Sequence, residues 1–311
     1  MILNKPKFWD YAPNKLNFLK YLFFPASLVV EVINFFKNKK KKEYFKIKTI
    51  CVGNIYIGGT GKTPMAILLN QIISEKLKCT VVKKFYSSQI DEQKLISHYC
   101  NLICKSSRTA ALKIAEQENF DVAILDDGLQ EKKINKDLSI VCFNSDKGIG
   151  NGSVIPSGPL RENIKSLANY NIALINGEND NENLIKLLKL NNESIQIFRA
   201  KYEITNIQDF DLNKDYYIFS GIGNNESFYK TLEKNNFKIK KYFKYPDHYN
   251  YSTKDIHKIK NEAQKNNLTI ITTEKDYLRL NNSDREKITF IKIKLKILHE
   301  KKFIECINKY L

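Results

Sequence analysis

Arginine is scarce in this 311-residue chain: five stand against 46 lysines, although the formal net charge is +17. Proteins that read DNA sequence rely on arginine for bidentate contacts to guanine, and no basic recognition helix or stacking motif accompanies the lysines, so no nucleic-acid partner is expected. A lysine-rich surface suits anionic lipid or a phosphorylated substrate equally well. Cysteine is sparse too. Cys51, Cys79, Cys100, Cys104, Cys142 and Cys306 are scattered, and Cys100 with Cys104 lacks a second pair at metal spacing, so reduced thiols in the cytoplasm are the simpler reading. Long apolar runs are missing as well. Tyr21 to Phe36 is apolar except for Ser27, Glu31 and Asn34, is interrupted at Pro25, and falls short of the roughly 20 residues that span a bilayer. A signal peptide is disfavoured, because no small-residue cleavage site follows and Lys37 to Lys42 occupies the place of processing. There is no internal repeat or low-complexity block.

What is present begins with Cys51-Val-Gly-Asn-Ile-Tyr-Ile-Gly58-Gly59-Thr60-Gly61-Lys62-Thr63-Pro64, a glycine-rich phosphate loop between a strand-like run, Ile47 to Ile55, and an amphipathic run, Met65 to Ile73. Gly58, Gly59, Thr60 and Gly61 let backbone N–H groups close around phosphate oxygens, Lys62 reaches the terminal phosphates, and Thr63 offers a hydroxyl to Mg²⁺. Tyr56 stands where the usual pattern has its first glycine. Downstream, Phe120 to Gly128 reads as a buried parallel strand ending in Asp126 and Asp127, either of which would hold the metal directly or through water. A GTPase or metallochaperone would need a guanine-reading Asn-Lys-x-Asp motif, and none follows a strand convincingly, so ATP is favoured.

Strand and helix patterns then alternate. Leu138 to Phe143 and Ile172 to Asn176 read as strands, Asn181 to Leu190 as helix, and a second series runs from Tyr216 through Thr272. Ile288 to Ile297 reads as one strand, and a last helix, His299 to Tyr310, has a place on either lobe. The fold class expected is α/β: a P-loop NTPase-like, RecA-like core with a mainly parallel sheet (residues 46–178) plus a smaller C-terminal α/β lobe (179–311). Residues 1–45 form a third unit. Phe8 and Trp9 open it, the apolar run follows, and Lys37, Lys39, Lys40, Lys41 and Lys42 close it. Aromatics beside a lysine cluster suit a helix lying in the headgroup layer of an anionic leaflet, with packing on the protein's own core as the alternative.

Gly53-Asn54 with the phosphate loop, Asp126-Asp127-Gly128-Leu129-Gln130, Gly150-Asn151-Gly152, and Pro156-Ser-Gly158-Pro159-Leu160-Arg161-Glu162 together resemble the tetraacyldisaccharide 4′-kinase family. The likeness continues through Ser220-Gly221-Ile222-Gly223-Asn224, Tyr245-Pro246-Asp247-His248-Tyr249 and Thr273-Glu274-Lys275-Asp276, so it runs from about residue 15 to the C-terminus. It implies an ATP- and Mg²⁺-dependent kinase acting on the 4′-hydroxyl of a lipid A disaccharide 1-phosphate precursor, peripheral to the cytoplasmic face of the inner membrane and touching its anionic lipids. It extends a role near metal or γ-phosphate to Arg161 and Glu162, the latter as a metal ligand beside Thr63, Asp126 and Asp127. It places the proton acceptor at Asp91, oriented by His248, although Ile90 and Gln93 replace the family's flanking Gly and Pro and leave an exposed loop carboxylate as the other reading. Two further departures stand out. The family's Ser-Arg-Gly-Tyr-Gly after the second strand is Lys83-Lys84-Phe85-Tyr86 here, and the histidine after its Asp-Asp-Gly-Phe-Gln is Glu131. Part of the acceptor cleft is therefore expected to be rebuilt, and a non-catalytic nucleotide-binding module at the membrane is the competing reading.

Overall fold

Strands that are apolar on both faces need cover on both faces, and the arrangement of helices follows from that demand. The computed structural model describes residues 5–13, 15–38 and 41–311; Lys39 and Lys40 of the lysine cluster lie outside the described residues, as does the Lys37 side chain. After a 3₁₀ turn, Lys7–Asp10, come α1 (Phe18–Leu22) and α2 (Phe24–Asn38). The nucleotide-binding series follows as β1 (Lys48–Gly53), α3 (Lys62–Ile73), β2 (Cys79–Lys84), α4 (Ile90–Tyr99), β3 (Leu102–Lys105), α5 (Arg108–Gln117), β4 (Val122–Asp126), β5 (Leu138–Asn144), β6 (Ile172–Asn176), α6 (Glu182–Asn191) and β7 (Gln196–Ile204). The second series is β8 (Asp215–Ser220), α7 (Asn225–Lys234), β9 (Lys238–Lys244), α8 (Thr253–Lys265), β10 (Thr269–Thr273), the single-turn α9 (Glu274–Tyr277), β11 (Ile288–Ile291), β12 (Ile293–Ile297) and α10 (Glu300–Asn308).

Eight strands form one sheet in the order β12-β7-β6-β5-β1-β4-β2-β3, parallel throughout except for β12 at the edge. Leu112 of α5 and Leu184 and Leu188 of α6 cover one face, while Met65 and Leu69 of α3, Ile96 of α4 and Phe303 and Ile307 of α10 cover the other. The chain runs from β1 to one side of the sheet and from β4 to the other, which opens a crevice at the carboxyl ends of β1 and β4 where ligands of such sheets bind. The second sheet, β11-β10-β8-β9, is wholly parallel and lies between α8 and α7.

The run 288–297 is not one strand. It breaks at Lys292, so that β11 belongs to the small sheet and β12 pairs antiparallel with β7 in the large one. The break is held by hydrogen bonds: the Thr205 N–H donates to the Lys292 carbonyl (3.0 Å), the Lys292 N–H donates to Asn206 Oδ1 (2.9 Å), and Asn206 Nδ2 donates to the Phe290 carbonyl (3.1 Å). The lobe boundary expected at 178/179 moves accordingly. Strand pairing and core contacts assign α6 and β7 to the large lobe, the chain leaves it after Ile204, and α10 returns to pack Phe303 against Phe198.

α2 is amphipathic with its polarity reversed. Ser27, Glu31 and Asn34, spaced to share one helical face, turn toward the protein: Ser27 Oγ donates to the Val154 carbonyl (2.8 Å), Glu31 accepts from Asn163 (2.8 Å), and Asn34 donates to the Arg161 carbonyl (3.0 Å). Leu28, Val29, Val32, Ile33 and Phe36 are exposed. Phe8 and Trp9 do not join that surface. Phe8 is buried and stacks on Phe23, and Trp9 donates its indole N–H to the Pro156 carbonyl (3.0 Å). No helix among the described residues is long and apolar enough to cross a membrane.

Candidate active site

The phosphate loop leaves β1 and enters α3 through Gly61, whose φ of +90° a side chain would resist and whose missing Cβ leaves room for Asn176. Asn54 braces the loop from within, donating to Thr60 Oγ1 (2.9 Å) and to the Gly58 carbonyl (3.3 Å). Tyr56, in place of the usual first glycine, is turned out of the loop: its ring is buried and its hydroxyl donates to Asp10 (2.6 Å). The parallel register sets Val52 beside Asp126, so the end of β4 faces the start of α3. Thr63 Oγ1 donates to Asp126 Oδ2 (3.5 Å), while Asp126 Oδ1 is buried without a hydrogen-bond partner among the described residues. An orphaned carboxylate oxygen beside a threonine hydroxyl is a donor set suited to a hard cation such as Mg²⁺.

Asp127 adopts a left-handed backbone conformation, φ +55°, which turns its carboxylate toward Arg161 Nη1 (2.8 Å) and Lys62 Nζ (3.9 Å). Burial pushes its carboxyl up, but those two cations outweigh burial and hold it below the ordinary range. Arg108 fixes the turn by donating to the carbonyls of Asp126 (3.0 Å) and Asp127 (2.7 Å). Glu162 is linked to Asp127 through Gln130 and Arg161. Its oxygens accept from Gln130 (3.0 Å), Lys132 (2.9 Å) and Tyr170 (3.2 Å), and Gln130 in turn accepts from Arg161 (3.3 Å). In this conformation Glu162 braces the Arg161 loop.

Asp91 is neither exposed nor in a loop: it is 4% exposed, in the first turn of α4. His248, held at φ +57° in the turn after Pro246, brings Nδ1 to 3.1 Å from each Asp91 oxygen. Arg279 contacts Asp91 Oδ2 through Nε (2.9 Å) and Nη2 (2.5 Å), and Asp276 steadies the same guanidinium at Nη1 (2.8 Å). Lys275 lies 3.4 Å from Asp91 and 3.1 Å from Glu92. Burial pushes the Asp91 carboxyl up, yet the His248 hydrogen bond and the charges of Lys275 and Arg279 together hold it well below the carboxylate range. The two half-sites are joined by Lys83, whose ammonium lies 2.5 Å from Asp126 Oδ2 and 2.8 Å from Glu92 Oε2. The small lobe is closed over the loop: a Cβ on Gly223 would lie 2.7 Å from the backbone nitrogen of Gly59.

The sequence model of the tetraacyldisaccharide-1-P 4′-kinase family matches residues 19–98 and 90–311. A tetraacyldisaccharide 4′-kinase of Pelagibacter ubique is 48% identical over 97% of this chain and 96% of its own length. The chain belongs to the tetraacyldisaccharide 4′-kinase family. A member from Rickettsia bellii is 32% identical, over 96% of this chain and 97% of its own. The crystal structure of Aquifex aeolicus LpxK in complex with ATP superposes with a TM-score of 0.70 over 94% of this chain and 99% of that one, at 22% identity, and so shares the fold.

Within this 4′-kinase family chain, the expected residues fall into two groups that meet. Lys62, Thr63, Asp126, Asp127 and Arg161 gather at the phosphate loop, and Asp91 and His248 gather across from them. Sequence reasoning gave no role to Lys83, Glu92, Arg108, Lys275 or Arg279. Glu92 adjoins Asp91 and Lys275 sits in a motif already noted, so both carried a signal; Lys83 had only its departure from the family pattern.

Proposed function

We propose that this protein transfers the γ-phosphoryl group of ATP to the 4′-hydroxyl of tetraacyldisaccharide 1-phosphate, working as a peripheral protein on the cytoplasmic face of the inner membrane. The observation that carries the reading is the meeting of a phosphate loop and a buried Asp91 paired with half-buried His248 in one cluster of charges. Phosphoryl transfer depends on alignment and charge neutralisation, with little covalent work for the protein. Lys62 and the loop amides hold the phosphates, and Arg161 balances charge from the side of Asp127. Thr63 and Asp126, with Asp127 near them, would hold Mg²⁺, which when bound supplies neutralisation of the β- and γ-phosphate oxygens. Asp91 remains ionised under the cations around it and accepts a hydrogen bond from the attacking hydroxyl. A carboxylate of low proton affinity suits a loose transition state in which that proton moves late. His248 fixes the carboxylate in place.

A membrane-borne acceptor explains why α2 turns its apolar residues outward. Exposed Leu28, Val29, Val32, Ile33 and Phe36, with Lys41 and Lys42 beyond the helix, suit the headgroup layer of an anionic leaflet. The deciding experiment is transfer of labelled phosphate from ATP to purified disaccharide precursor. Wild-type protein should label the lipid, and Lys62→Ala should lower turnover by about a thousandfold or more with the fold intact. Near-normal turnover by Lys62→Ala would refute the assignment.

A further inference from the structure

Lys83 is the most deeply buried ammonium of the site, with 2% of its side chain exposed. Burying an ammonium is unfavourable unless opposite charges repay the lost hydration, and here two carboxylates do so: Asp126, itself fully buried, and Glu92. With an ordinary pKa far above neutral and two carboxylates within 2.8 Å, Lys83 is a cation. The two partners come from different parts of the machinery. Asp126 ends β4 beside Thr63, and Glu92 follows Asp91 on α4. Lys83 ends neither; it lies near the carboxyl end of β2, the strand that pairs with β4.

From this geometry we infer that Lys83 is a positioning residue of the phosphoryl-transfer site, a fixed cation that aligns the metal-binding carboxylate with the acceptor-binding helix. It engages Asp126 through Oδ2 alone, which leaves Oδ1 buried and unpartnered. Through Glu92 it holds the first turn of α4, and therefore Asp91, in register with the phosphate loop. The same placement opposes metal binding, because a cation 2.5 Å from a ligand carboxylate competes with Mg²⁺ for its charge. Lys83 thus trades metal affinity for alignment. Its effects on binding and on turnover have opposite signs, which a side chain that merely supports the fold would not produce. The inference rests on the kinase reading above, and the binding half of its test stands apart from that reading.

The test uses the full chain with Lys83→Met, Lys83→Arg and Glu92→Gln. Mg²⁺ is titrated calorimetrically into ATP-bound protein with no lipid acceptor, and phosphate transfer is measured separately. Lys83→Met should bind Mg²⁺ at least about threefold more tightly while kcat falls about a hundredfold with little change in the KM for ATP. Lys83→Arg should keep wild-type Mg²⁺ affinity and recover at least about tenfold of the lost turnover. Glu92→Gln leaves Lys83 to Asp126 alone and should weaken Mg²⁺ binding about threefold, which preserves the test should Lys83→Met fail to fold. Unchanged or weaker Mg²⁺ binding in Lys83→Met, tighter or unchanged binding in Glu92→Gln, or kcat of Lys83→Met within threefold of wild type would each overturn the inference. Wild-type protein that binds Mg²⁺ and ATP but labels no lipid would instead refute the kinase reading.

Discussion

His248 crosses from one lobe to the other because its backbone is left-handed. The strained turn is held by the His248 N–H donating to the Gly221 carbonyl (3.2 Å), and it directs the imidazole at Asp91. Removing the ring leaves Asp91 to Arg279 and Lys275, so His248→Ala should lower kcat about a hundredfold and leave ATP affinity nearly unchanged, as steady-state kinetics with varied ATP would show. Asp91 also adds a pH-dependent contribution to stability. Its folded-state carboxyl lies below the unfolded value, so the stabilisation is fully present above about pH 4 and is lost as pH falls through the folded value. Asp91→Asn should therefore melt at a lower temperature than wild type at pH 7, with the gap closing under more acidic conditions. The loop residues were legible from sequence because their meaning is local: six consecutive positions, Gly58 to Thr63, determine how a phosphate and its metal are cradled. Arg279 was not, since it acts on Asp91 from more than 180 positions away in the chain and nothing in its own neighbourhood marks it, while Lys275 was marked by its motif but not by its partner.

At the scale of elements, the alternation of apolar and polar runs located β1, β4, β5, β6, α6 and α10 within a residue or two, because each is buried in the way its pattern demands. It failed at 288–297. Residues of the same type continue through Lys292, and only the pairing partners, β10 on one side and β7 on the other, divide them. α2 gave the opposite result: its three polar interruptions, which look like flaws in an apolar stretch, are the contacts that dock it. Exchanging Val29, Val32 and Phe36 together for serine should leave melting nearly unchanged, since all three are exposed. It should weaken sedimentation with anionic vesicles by at least about a hundredfold, as each apolar side chain transferred contributes about 1.5 kcal/mol or more. Equal vesicle binding by wild type and the triple variant would remove α2 from the membrane.

For the whole molecule, catalysis depends on how closely two lobes approach, and Gly223 against Gly59 marks the limit. Gly223→Val places carbon atoms where the phosphate-loop backbone lies, so the lobes must part by an ångström or more. Displacement of that size costs on the order of a hundredfold in rate. The variant should fold, bind ATP and lose about that factor in kcat/KM, measurable against wild type in the lipid phosphorylation assay.

Because β12 lies antiparallel to β7 with Ile293 opposite Ile204, the small lobe departs and returns at a single seam. In effect it is the tip of an oversized hairpin. An insert tied at one point can swing about that point without disturbing the sheet that carries it, and it can be excised and the gap bridged by a few residues. The shortened protein should retain an ordered triphosphate cradle and lack His248, Lys275 and Arg279 altogether, leaving a nucleotide binder with no means of handling an alcohol.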